Sequence, residues 1–381
     1  MVFSRLKSFV YTIDFIDCFK TRGFIVIFDS IKYMEWFKGK QPVKYDLCYS
    51  SVKNISLSRL EVDWEKMELT GQNVYGYIPL LESIAQKYNV ETENVVSVLG
   101  TSQGLFVVCA ALLQKGDRVL VERPTYEPLL AVSRSFEAEI TRFERPYAAG
   151  YQVDLDDLKN RISQDTKLII LTDLHNPSGV HIPQSEMEEI LCVAEEVGAW
   201  VLLDGVYGEF LDRDSAIFPL KSRRKVILIS SLTKAYGLGG IRCGWVIAPM
   251  EIVRSIKRII DHMNVEGTYL TELISVEIMS KLEEIKSGNS ADILRNLNRV
   301  RDLIEKEDGL SWIEPDGGVV CFPRVEGKMT GDDLSRILRR DYDTAVVPGR
   351  FFEAPQHFRL GFGVPPDILD AGLENIRKAL R

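Results

Sequence analysis

The sequence predicts an α/β protein: a large domain with a mostly parallel seven-stranded sheet covered by helices on both faces, plus a smaller α+β domain from the N- and C-terminal segments. Three observations predict it. Between about Glu93 and Pro249, short runs rich in Val, Ile and Leu alternate with stretches of helical periodicity. These runs are apolar almost throughout, as strands buried on both faces require. After Pro249 the texture changes to long helical periodicity and then to short strands mixed with helices. At roughly 100–200 residues per domain, the 381-residue chain divides into a large part, 60–270, and a small part, 1–59 with 271–381.

The seven strands are Val95–Leu99, Arg118–Val121, Glu139–Phe143, Lys167–Thr172, Ala199–Asp204, Val226–Ser230 and Gly244–Ala248, each bounded by Gly, Pro, Asp or Ser. A helix over Leu105–Gln114 follows the first. Ser185-Glu-Met-Glu188 has the pattern of a capping box, in which Ser185 accepts from the backbone near Glu188. Met187, Ile190, Leu191, Ala194 and Val197 then recur at helical spacing, and Gly198 supplies the stop. Residues 250–306 read as helical with a break at Ser287-Gly-Asn-Ser290. Beyond them, strands are expected at Gly318–Phe322, Ala345–Pro348 and His357–Gly361, and helices at Gly331–Arg340 and Pro366–Leu380. The first forty residues are amphipathic and weakly specified, compatible with a docking arm or with a partly ordered extension.

Composition excludes several classes. The net charge of −8 counts against a nucleic-acid coat, which needs clustered Lys and Arg to neutralise phosphates. Only four His and six Cys are present, no C-x-x-C pair occurs, and His175 and His181 lack H-E-x-x-H spacing, so no metal site is expected. Scattered Cys give no disulfide framework and suit a reducing cytosol. Asp14 and Asp17 interrupt the apolar stretch Phe9–Phe19, and no small-residue cleavage site follows, so no signal peptide is expected. No uncharged apolar run reaches the roughly 18 residues a membrane span needs. A cytoplasmic protein without nucleic-acid or membrane partners is the expectation.

In open α/β sheets, ligands bind beyond the carboxyl ends of the strands, so the residues just after each strand carry the chemistry. Gly100-Thr-Ser-Gln-Gly104 opens a helix with free N–H groups, which suits a phosphate or is a plain helix entry. No P-loop and no G-x-G-x-x-G occurs. Tyr126, between Pro124 and Pro128, is held stiffly enough to stack on a planar ring, or is a packed turn aromatic. In His175-Asn-Pro-Ser-Gly179, a turn by composition, the Asn176 amide can donate to a ligand oxygen and His175 belongs to the site wall. Asp204 closes a very apolar strand and needs a cation or donor if it does more than cap a turn; Tyr207 follows three residues on. Ser231-Leu-Thr-Lys234 leads into a glycine-rich stretch and Arg242. A lysine desolvated beside another cation has a depressed pKa and can form a Schiff base; otherwise this is a loop with two exposed cations. Together, five strand ends offer a phosphate cradle, a stacking ring, an amide donor, a carboxylate with a phenol, and a lysine with an arginine. These are the parts needed to hold a phosphorylated pyridine aldehyde, pyridoxal phosphate.

Residues Ser231 to Gly244 (S-L-T-K-A-Y-G-L-G-G-I-R-C-G) resemble the lysine signature of the class I/II aminotransferases, the aspartate aminotransferase superfamily of fold type I. The resemblance extends from about Tyr75 to Gly361 and implies a role for each matching residue. Lys234 would form the Schiff base and shuttle the substrate proton. Asp204 would pair with the pyridinium nitrogen, and Tyr207 with Asn176 would hydrogen-bond the ring 3-oxygen. Tyr126 would stack on the ring. The backbone of Thr101 and Ser102, with Ser231 and Arg242, would hold the phosphate. His357-Phe-Arg-Leu-Gly-Phe-Gly363 resembles the segment whose arginine binds the substrate carboxylate, making Arg359 the clamp, with Asn176 beside it.

Three positions depart from the family pattern. Cys243 stands for an aliphatic residue, Leu174 for a frequent proline, and Gly71 for a tyrosine that reaches the neighbouring subunit's phosphate; Tyr75 is the candidate substitute. The implied function is transfer of an amino group from an α-amino acid to a 2-oxo acid by a homodimer. The alternatives are a lyase, cyclase or decarboxylase on the same fold, whose first step is shared, and a non-catalytic cofactor-binding sensor.

Overall fold

The computed structural model describes residues 28–60, 62–211, 213–221 and 225–381. The first helix, α1 (Lys32–Gly39), precedes a two-residue strand β1 (Tyr45–Asp46). The chain then builds a seven-stranded sheet from β2 (Val95–Val98), β3 (Arg118–Arg123), β4 (Glu139–Glu144), β5 (Thr166–Thr172), β6 (Trp200–Asp204), β7 (Val226–Ser231) and β8 (Gly244–Ile247). Their order is β2-β8-β7-β6-β5-β3-β4, with β8 antiparallel to both neighbours and every other pairing parallel. All seven expected strands form.

The strands are apolar throughout because alternate residues serve two different cores. Ile169, Leu171, Val201, Leu203 and Leu228 face one side, with α2 (Ile78–Tyr88) and α6 (Gln184–Val197). Leu168, Ile170, Leu202, Ile227 and Ile229 face the other, with α3 (Thr101–Leu112), α4 (Glu127–Ser135) and α8 (Met250–Asp261). Truncating one such residue to Ala costs about 2–5 kcal/mol, a large part of an ordinary domain's 5–15 kcal/mol net stability. The sheet is therefore a stiff platform. The remaining helices beside it are α5 (Leu155–Arg161), α7 (Arg213–Lys221) and α9 (Tyr269–Met279).

A third core gathers α10 (Leu282–Lys306), α11 (Gly331–Asp341) and α12 (Pro366–Ala379) around short strands. These are β9 (Leu310–Ser311), β10 (Val320–Cys321), β11 (Arg324–Val325), β12 (Thr344–Ala345), β13 (Val347–Pro348) and β14 (Phe358–Gly361). β1 pairs with β12, and Leu47 from the N-terminal segment packs in this core, so both ends of the chain contribute to it. Ile278 and Leu282 pack instead against the large sheet.

Three local expectations are corrected. Helix α6 begins at Gln184 behind Pro183, with no side-chain cap, so Ser185 lies inside the first turn rather than capping it. Gly198, at φ 73°, does end it. No break occurs at Ser287–Ser290: α10 runs through, with the Ser287 and Ser290 hydroxyls donating to the Glu284 and Lys286 carbonyls. Those side-chain bonds satisfy the polar groups without diverting the backbone. Helix α3 begins at Thr101, four residues earlier than expected, which brings Thr101 and Ser102 into its first turn. Among the described residues no helix is long and apolar enough to cross a membrane, and no group of three or more His, Cys, Asp or Glu is placed to hold a metal ion. The Phe9–Phe19 stretch lies outside the described residues.

Candidate active site

The strand ends open onto a cleft lined by Ser50, Thr101, Ser102, Tyr126, Thr172, Asn176, Asp204, Val206, Tyr207, Thr233, Lys234 and Arg242. At its centre, Asp204 closes β6 and Lys234 sits in the loop after β7. Burial pushes the Asp204 carboxyl up to about 6, against the Val206 N–H and the Lys234 charge, which pull it down. Desolvation first, and then the charges of Arg359 and Arg242, bring the Lys234 amine down to about 8 against the opposing charge of Asp204. A lysine that readily gives up its proton near neutrality is a nucleophile.

Ser50 bridges the two central segments. Its hydroxyl accepts from Lys234 Nζ at 2.8 Å, and its carbonyl accepts from the Tyr207 hydroxyl at 3.1 Å. Burial pushes the Tyr207 phenol up to about 12, so it stays a donor. The Val52 N–H donates to the Lys234 carbonyl at 3.0 Å, which pins the segment around Ser50 beside the lysine loop.

At one end of the cleft the first turn of α3 meets Arg242. Gly100 caps the helix at φ 90°, where a Cβ would lie 2.6 Å from Arg242 Nη2. The glycine therefore keeps open a space between a guanidinium and the unpaired N–H groups of a helix start, a combination that binds phosphate. Arg242 is braced by the Leu99 carbonyl at 2.6 Å. Ser231 is fully buried beneath, its hydroxyl accepting from the Thr233 N–H at 3.3 Å.

At the other end stands Arg359, on β14 and 1% exposed. Its Nη1 donates to Asn176 Oδ1 at 3.0 Å, and its Nη2 to the Tyr33 hydroxyl at 2.9 Å and the Cys48 carbonyl at 3.2 Å. Its Nε has no partner among the described residues, which leaves a buried cationic donor for an anionic ligand. Tyr33, from α1, meets the Tyr126 ring edge-on at 5.4 Å. Asn176 is held by its own N–H, which donates to Thr172 Oγ1 at 3.0 Å.

Eight of the residues expected from sequence line the cleft together: Thr101, Ser102, Tyr126, Asn176, Asp204, Tyr207, Lys234 and Arg242. Arg359 adjoins it through Asn176. Tyr75 lies outside, its hydroxyl donating to Asp261 Oδ2 at 3.1 Å with Lys257 over its ring. The space a tyrosine at Gly71 would need is taken by the Tyr269 ring. His175 stands behind the cleft rather than in its wall. Its ring bonds the Ser178 hydroxyl at 2.7 Å and the Pro124 carbonyl at 2.9 Å, and burial holds it neutral with a strongly lowered pKa. Sequence reasoning missed Ser50, Thr172, Thr233, Val206 and Tyr33. Thr172 and Thr233 stand on strand-end segments already singled out, but nothing near Ser50 or Tyr33 in the chain signals a site.

This arrangement agrees with what comparison finds. Residues 64–376 match the family model of aminotransferases class I and II. The chain belongs to that family. It is 29% identical to capreomycidine synthase of Streptomyces vinaceus, over 75% of this chain and 74% of that protein. It is 26% identical to an aspartate aminotransferase of Streptomyces avermitilis, over 77% and 76%. A crystal structure of a pyridoxal-phosphate-dependent aminotransferase from Streptococcus suis superposes with a TM-score of 0.88 at 26% identity, covering 93% of this chain and 98% of that one. The protein is a pyridoxal-phosphate-dependent transaminase. The cleft fits that cofactor on its own evidence of chemistry: an amine poised to lose its proton, a buried carboxyl, and a space beside Arg242 that a single Cβ at Gly100 would fill.

Proposed function

We propose that Lys234 is the amine that carries pyridoxal phosphate and moves the substrate's proton, in a cytoplasmic homodimer that transfers an amino group from an α-amino acid to a 2-oxo acid. The observation that carries this reading is the cleft itself: Lys234, Asp204 and Tyr207 meet between a phosphate-type cradle and a buried arginine. Bound there, the cofactor supplies an aldehyde for the linkage and a ring that takes up electrons from the substrate.

The chain's own residues do the rest. Arg242 and the N–H groups of Thr101 and Ser102 hold the phosphate, with Ser231 fixing Thr233 from beneath. Asp204 holds a proton or a cation at the ring nitrogen. Tyr207 and Asn176 donate to the ring oxygen, and Tyr126 covers the ring face. Arg359 binds the substrate carboxylate, oriented by Asn176 and Tyr33, so that the bond to be broken is presented to Lys234. Tyr75 and Arg242 both line a pocket at the outer edge of the cleft, where a second subunit would meet the phosphate site. The two-part division belongs to the same reading, with the arginine on the small part, the lysine on the large one, and α9 with the start of α10 counted with the large part.

Replacing Lys234 with Ala tests it. The variant is expected to lose both the visible absorbance band of the loaded protein and turnover; retention of both would overturn the assignment. Similarity to a synthase keeps cyclisation or elimination as a second reading, because the residues that hold the cofactor would be the same. An added 2-oxo acid distinguishes them. Transfer turns it into a new amino acid, whereas elimination releases ammonia without it.

A further inference from the structure

Two residues beyond Tyr207, and two beyond Lys234, stand a carboxylate and a phenol that face away from the cleft and into the core. Glu209 is 5% exposed and Tyr236 is fully buried. The Tyr236 hydroxyl donates to Glu209 Oε2 at 2.5 Å. The same oxygen pairs with Lys87 Nζ at 2.8 Å, and Oε1 accepts from the Tyr88 hydroxyl, both from helix α2. Burial first, and then the Glu209 charge, raise the pKa of both phenols, so both remain donors.

Three charge-assisted contacts on one buried carboxylate are among the strongest polar links a fold can make. Their placement matters more than their number. On the cleft side, Ser50 joins Lys234 to Tyr207. On the core side, Glu209 joins the segment bearing Asp204 and Tyr207 to the segment bearing Lys234. The two loops are thus pinned to one another from both faces, and the platform they are pinned to is α2.

We propose that Glu209 is a positioning residue: through Tyr236 it sets how far Lys234 stands from Asp204 and Tyr207. The inference rests on Lys234 being the cofactor-bearing amine. The acidity of that amine depends on its distance from Asp204, Arg359 and Arg242, so a slackened loop changes a titration as well as a rate.

The test compares variants of the cofactor-loaded protein by the pH titration of its visible absorbance, alongside kcat and KM. Glu209→Gln and Tyr236→Phe are expected to move the titration midpoint by about half a pH unit or more and to lower kcat about tenfold, with KM changed less than about threefold. Tyr88→Phe removes a donor to the same carboxylate while leaving the Tyr236–Glu209 bond in place. It should lose thermal stability comparably to Tyr236→Phe while leaving the midpoint and kcat in place. An unmoved midpoint in Tyr236→Phe, or equal shifts in Tyr236→Phe and Tyr88→Phe, would overturn the proposal. Should Glu209→Gln fail to fold, the two phenylalanine variants carry the comparison. A Lys234→Ala protein that kept its absorbance band would instead overturn the assignment beneath it, so the two failures are separable.

Discussion

Asp204 and Lys234 face a cleft that penalises the charge on each of them. The Asp204 carboxyl is held near 6 in the fold, above the ordinary 3.8, chiefly by burial. A group whose folded pKa is raised adds stability below its unfolded pKa, and that stability is lost as pH rises through the folded value. In the cofactor-free protein, therefore, Asp204 favours folding at about pH 4 and ceases to above about pH 6. Asp204→Asn removes this dependence. The difference in Tm between variant and wild type should move in the variant's favour as pH increases from 4 to 7, measured on the apoprotein; a difference that stays flat would show that Asp204 is not desolvated as the geometry implies. The loaded variant should lose turnover by about a hundredfold or more, since a neutral amide cannot hold the ring nitrogen's proton. Stability and activity thus pull in opposite directions at one residue, as at many functional sites.

The first turn of α3 shows how an element, rather than a side chain, would make the proposed phosphate subsite. Its N–H groups are free because the helix begins there, and Gly100 gives Arg242 room to cross in front of them. Gly100→Ala would place a methyl 2.6 Å from the guanidinium and strain a backbone at φ 90°. It should weaken cofactor affinity by about tenfold or more, read by equilibrium dialysis, with a modest loss of Tm; unchanged affinity would remove this helix start from the phosphate site. The helix start that lines the cleft was legible in the sequence, because a Gly-bounded turn after an apolar strand is a local pattern. So were all seven sheet strands, whose burial on both faces writes itself into continuous apolar runs. Ser287–Ser290 was misread because small polar residues that suit a turn also tolerate a helix when their hydroxyls bond back to the preceding turn. Ser50 and Tyr33 were invisible for a different reason. They reach the cleft only because the N-terminal segment threads between β14 and the lysine loop, where Gly361 N donates to the Leu47 carbonyl and Val52 N to that of Lys234. No local periodicity reports such a path.

At the scale of the whole molecule, large apolar side chains stand exposed on both sides of Tyr75 in the chain. Val74, Ile78 and Val265 are 64%, 54% and 67% exposed, flanking Tyr75, and Leu99 and Val265 line one shallow pocket with Tyr75 and Arg242. Exposed apolar side chains, where they gather, mark a surface that another protein covers. In the proposed homodimer, a second copy of the chain docked there would bury them and close the outer edge of the proposed phosphate site at the same time, which would link assembly to cofactor retention. Sedimentation of the wild type is expected to give a dimer. Val265→Asp and Ile78→Asp each place a charge in the middle of this face, where desolvating it without a partner is costly. Each should shift the protein towards monomer and weaken cofactor affinity in proportion, while Met250→Asp, on the exposed start of α8, should do neither. A wild-type protein that sediments as a monomer at micromolar concentration, or aspartate variants that stay dimeric with full cofactor affinity, would place the subunit contact elsewhere on the molecule.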